Sequence, residues 1–148
     1  MSISPNASVY NDTILTCTAT AADDDETVTP TYEWTVGTAT YSGATLDLET
    51  TSAMPNDVIT CTASASDSNG GSDSSTTTVT VENRAPTVSS VSISPTTIYT
   101  NSLVSCSSTI ADDDGETPTQ TVDWSVNGTS VGTEDLLQLD NTMLAVGD

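Results

Sequence analysis

The chain has 148 residues, with 21 Asp or Glu against a single basic residue, Arg84, for a net charge of −20. That balance repels nucleic-acid phosphates and anionic lipid, which excludes both as partners. His and Lys are absent, so an enzyme would lack the usual bases and amine nucleophiles, and no catalytic residue is assigned. Self-repulsion on this scale calls for bound cations or a salty medium, where screening acts within about 8 Å at physiological ionic strength.

The elements follow in chain order. Ser2-Ile3-Ser4-Pro5 opens a first strand, with Tyr10 near its end. Leu15, Cys17, Ala19 and Ala21 alternate along one face of a second. An acidic run, Asp23-Asp24-Asp25-Glu26, occupies the loop that follows and ends at Pro30. Tyr32, Trp34 and Val36 form the next inward row, then Leu46 and Leu48. Ile59, Cys61, Ala63 and Ala65 make a fourth row, and Thr77, Val79 and Val81 a fifth. Ser68-Asn69-Gly70-Gly71-Ser72 is a hairpin connection between these two. The opposite faces are almost pure Thr, Ser, Asp and Glu. Period-two alternation with no helical period predicts an all-β chain of two sheets packed through their apolar faces.

The pattern then recurs at an offset of about ninety residues, a spacing that marks a whole domain. Ser92-Ile93-Ser94-Pro95, Cys106, Asp112-Asp113-Asp114 and Trp124 repeat the earlier landmarks, and Tyr99 repeats Tyr10. Val104, Cys106 and Ile110, then Val122, Trp124 and Val126, then Leu137 and Leu139 form the second set of rows. This predicts two domains, residues 1–84 and residues 85–148, the second lacking its last two strands. Asp57 aligns with Asp148, so a further Cys is expected about four residues past the end. On this reading Cys17 pairs with Cys61, while the mate of Cys106 lies beyond the chain. Completion of the second domain by strands from a neighbour is the alternative. Two cysteines forty-four residues apart on separate strands suit a core disulfide better than a metal site. Glu82-Asn83-Arg84-Ala85-Pro86 is a short linker stiffened by Pro86.

Cys17, Trp34 and Cys61 on three strands resemble an immunoglobulin-like sandwich, in which a Trp packs on the disulfide between the sheets. Ile59 stands where the corner Tyr of antibody domains would be. The acidic runs and the Glu82–Pro86 linker are similar to the tandem Ig-like, PKD-like and cadherin-like repeats of large bacterial and archaeal surface proteins. That resemblance implies an extracellular stalk, adhesin or filament repeat, often stiffened by calcium.

The acidic runs carry the chemistry. Asp23, Asp24, Asp25 and Glu26, and likewise Asp112, Asp113, Asp114 and Glu116, cluster the oxygen donors that Ca2+ takes. Asp-x-Asp-x-Asp-Gly is absent, so no EF-hand is present. In an immunoglobulin topology the first run lies at the same end as the Asp67–Asp73 loop, and the second faces the linker residues Glu82 and Asn83. The competing reading is a solvated acidic surface. Asn6, Asn11 and Asn127 begin glycosylation sequons. Trp34 and Trp124 are expected in the core, Tyr10 and Tyr99 in packing, and Arg84 beside an acid such as Asp57. The functional expectation is a non-enzymatic structural repeat whose partners are neighbouring repeats or like chains in a fibre. An adhesin or carbohydrate-binding module and a self-assembling filament subunit are the alternatives.

Overall fold

A computed structural model describes residues 1–143, so the alignment of Asp57 with Asp148 and the end of the second repeat lie outside the described residues. The chain divides into two compact units, Met1–Arg84 and Ala85–Asp148. Both are all-β, and no α-helix occurs among the described residues.

The first unit has seven strands: β1 (Ser2–Ser4), β2 (Ile14–Thr18), β3 (Thr31–Val36), β4 (Ala39–Ser42), β5 (Thr45–Asp47), β6 (Val58–Ser66) and β7 (Ser72–Thr80). They form two antiparallel sheets, ordered β1-β2-β5 and β4-β3-β6-β7. Alternation decides which side chains meet. Ile3, Leu15, Cys17 and Leu46 from the first sheet are buried in one cluster with Trp34, Val36, Ile59 and Cys61 from the second. The outward side of β6 and β7 carries hydroxyls instead, with Thr60 opposite Thr78 and Thr62 opposite Thr76. Such pairs keep β-branched residues on a wetted face.

A disulfide joins Cys17 of β2 to Cys61 of β6 and so ties the two sheets together. Trp34 lies opposite Cys61 in the ladder and is fully buried. Its indole N–H donates to the Gly43 carbonyl at 2.9 Å, which satisfies the one polar group the ring brings inside. Tyr32 adds a second tie. Its hydroxyl oxygen accepts from the Ala19 N–H at 3.1 Å, linking β3 to the segment that leaves β2.

Three local expectations are revised. The second strand stops at Thr18, so Ala19 and Ala21 lie outside it, half-buried. Leu48 is buried from a 3-10 turn, Leu48–Thr50, capped by the Asp47 carboxylate, and not from a strand. The first strand ends at Ser4, before a cis Ser4–Pro5 peptide, because Pro5 has no N–H for the ladder. Beyond it the chain reaches the end of β7, where the Glu82 N–H donates to the Val9 carbonyl at 2.6 Å.

The second unit has β8 (Thr87–Ser94), β9 (Leu103–Ala111), β10 (Trp124–Val126), β11 (Thr129–Gly132) and β12 (Leu136–Gln138). β12-β9-β8 form one sheet and β10-β11 the other, the counterparts of β5-β2-β1 and β3-β4. Asn127 and Gly128 both take positive φ in the β10–β11 turn, the pairing that a two-residue type I′ hairpin demands. The apolar rows here are only partly covered. Val104 and Leu139 are buried, whereas Trp124 is half-buried and Tyr99 is 68% exposed. Trp124 in a closed core and Tyr99 in packing therefore both need correction. The cause is local: β6 and its disulfide lie over Trp34, and nothing equivalent lies over Trp124 among the described residues.

Closing a loop of this span stabilises by about 4 kcal/mol on the chain-entropy estimate. Replacing both Cys17 and Cys61 by Ala is therefore expected to lower the stability of the first unit by up to that amount. Urea unfolding of the oxidised chain against the double variant measures it. Equal midpoints and slopes would contradict the pinning role.

Candidate functional site

The acidic connection of the first unit is held by its own backbone. Asp23 Oδ1 accepts from the N–H groups of Asp25 and Glu26, at 2.8 and 3.0 Å. This tight turn puts Asp24 and Asp25 in solvent and turns Glu26 toward the β6–β7 hairpin. There Glu26 accepts from the Ser68 backbone N–H and, at 3.1 Å, from the Ser68 hydroxyl. Asp67 organises the same hairpin, accepting through Oδ1 from the N–H groups of Asn69 and Gly71, both at 2.8 Å. A Cβ at Gly71 would displace the Asp67 carboxylate from this position. The expected juxtaposition of the Asp23–Glu26 run and the Asp67–Asp73 loop is thus present at one end of this unit.

Between them lies a shallow cavity of about 120 Å³, lined by Asp23, Asp67 and Asp73 among others. Its donors are carboxylate oxygens of the class that hard divalent cations take. Much of that oxygen is already occupied by backbone N–H groups. Among the described residues, no three acidic side chains converge closely enough to form a ready cage.

The second acidic run behaves differently. β9 ends at Ala111, and Asp112 Oδ1 accepts from the Asp114 N–H at 2.9 Å. Asp114 is 1% exposed, while Asp113 and Glu116 are exposed. A buried carboxylate within a loop of acids was not expected, because charge runs ordinarily face water throughout. Nothing in the spacing of Asp112, Asp113 and Asp114 distinguishes the third from its neighbours.

Glu82 and Asn83, expected as cation ligands, are engaged at the end of the first unit. Glu82 Oε1 accepts from the Ser8 N–H at 2.8 Å, and Asn83 Nδ2 donates to the Arg84 carbonyl at 2.8 Å. Arg84 pairs with Asp12, and its guanidinium lies 4.4 Å from the centroid of the Tyr10 ring. Asp57, the acid suggested for it, instead accepts from the Met54 N–H at 2.9 Å. The reason is the course of the chain after β7. The bond from Glu82 to Val9 carries it along the Ser8–Tyr10 segment, which brings Arg84 to Tyr10 and Asp12. Such an exposed pair contributes little to stability, and its larger effect is to orient the arginine.

Of the sequon asparagines, Asn6 is exposed, Asn11 is half-buried, and Asn127 is exposed at the apex of the β10–β11 turn. Near the end of the described chain, the Asp140 carboxyl is held below its usual range. The Thr142 hydroxyl and backbone N–H donate to it, and the Met143 N–H adds to the effect. No helix among the described residues is long and apolar enough to cross a membrane. No protein-family model, curated protein or solved structure matches the chain.

Glu26→Ala removes both acceptors from Ser68. It is expected to lower the stability of the first unit by about 1 kcal/mol, a typical net value for hydrogen bonds at a partly wet site. The Ser68 amide should also exchange faster with solvent. Thermal unfolding and amide exchange together test this, and unchanged exchange at Ser68 would contradict the tie.

Proposed function

We propose that the chain is a non-catalytic structural segment of an extracellular protein, built of serial immunoglobulin-like sandwiches that act as a stalk, spacer or fibre. The observation that carries this reading is that one architectural frame is used twice. The indole N–H of Trp34 donates to Gly43, and that of Trp124 to Glu134 at 2.7 Å. The N–H of Cys17 donates to the Ala44 carbonyl as that of Cys106 does to Asp135, at 2.8 and 3.0 Å. Reuse of one frame suits a part whose purpose is length.

Further support comes from the disulfide, since such bonds persist in oxidising compartments outside the cytoplasm. In the first unit the strand order β1-β2-β5 against β4-β3-β6-β7, with a disulfide between the sheets beside Trp34, supports the immunoglobulin-like assignment. The net charge of −20 supports a cation requirement, and the oxygen-only donors at the acidic loops favour calcium. In the first unit the ion would be held by Asp23, Asp67 and Asp73, after the hairpin has adjusted to bring them together. Its role would be to offset repulsion between the loops.

Millimolar calcium is expected to raise the melting temperature of the oxidised chain by several degrees at moderate salt, and EDTA to reverse the rise. Asp23→Asn with Asp67→Asn should abolish most of it. Calorimetry with magnesium as the comparison measures the effect. An unchanged melting curve would leave the structural reading without its cation.

A further inference from the structure

One long strand of the first unit lies at a sheet edge. The other edge strands, β1, β4 and β5, span three, four and three residues. β7 spans nine, keeps one register with β6 throughout and, among the described residues, pairs with no other strand. Folded proteins ordinarily blunt such an edge with lysine, proline or a bulge. β7 has none of the three. By contrast β8, a long edge strand of the second unit, is broken by a bulge between Ser89 and Ser92, where Ser90 takes a φ of 54°. β7 is internal to the sequence, followed by Val81 and the linker, so neither end of the chain creates its edge.

Hydrogen bonds just past β7 reveal which backbone groups face that edge. The Val81 N–H donates to the Asp57 carbonyl at 2.9 Å, and the Val81 carbonyl accepts from the Asn56 N–H at 2.8 Å. Both groups of Val81 therefore point to the β6 side, while the Glu82 N–H points the other way, to Val9. These directions alternate along a strand. The N–H and carbonyl of Ser72, Ser74, Thr76, Thr78 and Thr80 accordingly face the open edge. Charge is scarce here as well. In a chain with 21 acids among 148 residues, β6 has no charged residue and β7 has only Asp73.

We infer that β7 is an association edge for a second copy of this chain, joined β7 to β7 in antiparallel fashion about a two-fold axis at Thr76. The outward-facing N–H and carbonyl of Thr76 meet their own counterparts, Ser74 pairs with Thr78, and Ser72 pairs with Thr80. The two β4-β3-β6-β7 sheets become continuous, and Thr and Ser meet Thr across the join, a favourable cross-strand match. This register also keeps the acids apart. Each Asp73 falls opposite Val79 of the other copy, about 20 Å from its counterpart at roughly 3.4 Å per residue. That exceeds the screening length of about 8 Å at physiological ionic strength. A foreign cationic strand would find one carboxylate along this edge, so the edge does not select for it. The remaining charge on two copies of net −20 opposes their approach, which fixes the sign of the salt dependence: added salt strengthens the contact.

Sedimentation equilibrium of the full, oxidised chain tests this, with EDTA present throughout so that the outcome is independent of calcium. The dimerisation constant is expected to rise about tenfold or more from about 0.01 M to about 1 M NaCl, as the screening length falls from about 30 Å to about 3 Å. Cross-linking supplies the geometry. In a Cys106→Ser background, Thr76→Cys places two thiols at the axis, on Cα atoms about 5.5 Å apart and within reach of a disulfide. Under mild oxidation it should form a covalent dimer about tenfold or more faster than Thr40→Cys on the short edge strand β4, because docking raises the local concentration. A chain that stays monomeric at about 1 M NaCl, an association that weakens as salt is added, or equal cross-linking of the two variants would each overturn the proposal.

Discussion

The first unit depends on one covalent crossing between its sheets. A chain with four Tyr, two Trp and no Phe has few large side chains with which to fill an interior. Its sheets are therefore held less by bulk than by placement. The Cys17–Cys61 bond fixes β2 to β6, and Trp34, beside Cys61 in the ladder, fills the space around the sulfurs. Leu15, Ile59 and Val36 then bury against a fixed spacing. Small residues such as Ala63 suffice elsewhere because the sheets cannot part.

Charge sets the second condition. Backbone N–H groups do the work that lysines do in most surfaces. Asp23, Asp47, Asp67 and Asp112 each accept from main-chain donors, in the turns where their charge is most crowded. Each turn is shaped by the acid that would otherwise repel its neighbours. The acidity thus serves local structure as well as solubility, and it explains how a chain so short of cations keeps ordered loops.

Much of the fold was legible because β-structure here is written in a strict period of two. Leu15 and Cys17, Trp34 and Val36, and Ile59 and Cys61 each announced their side of a strand, and the repeat doubled the evidence. Legibility failed where a contact depends on the path of a loop. Arg84 meets Asp12, not Asp57, because the segment after β7 runs beside Ser8–Tyr10, a pairing that no local pattern encodes. Asp114 is buried though it stands in a run of identical residues. The placement of the Asp23–Glu26 run beside the Asp67–Asp73 loop followed from topology, but the capture of Glu26 by Ser68 did not, since it rests on side-chain geometry across two loops.

The solitary arginine has a consequence beyond its ion pair. Among these 148 residues only the Arg84–Ala85 bond follows a basic side chain, and it falls at the boundary between the two units. Trypsin-like proteases read that one position and no other, and its side chain lies against Tyr10 and Asp12. For enzymes of that specificity, neither unit offers anything else to cut.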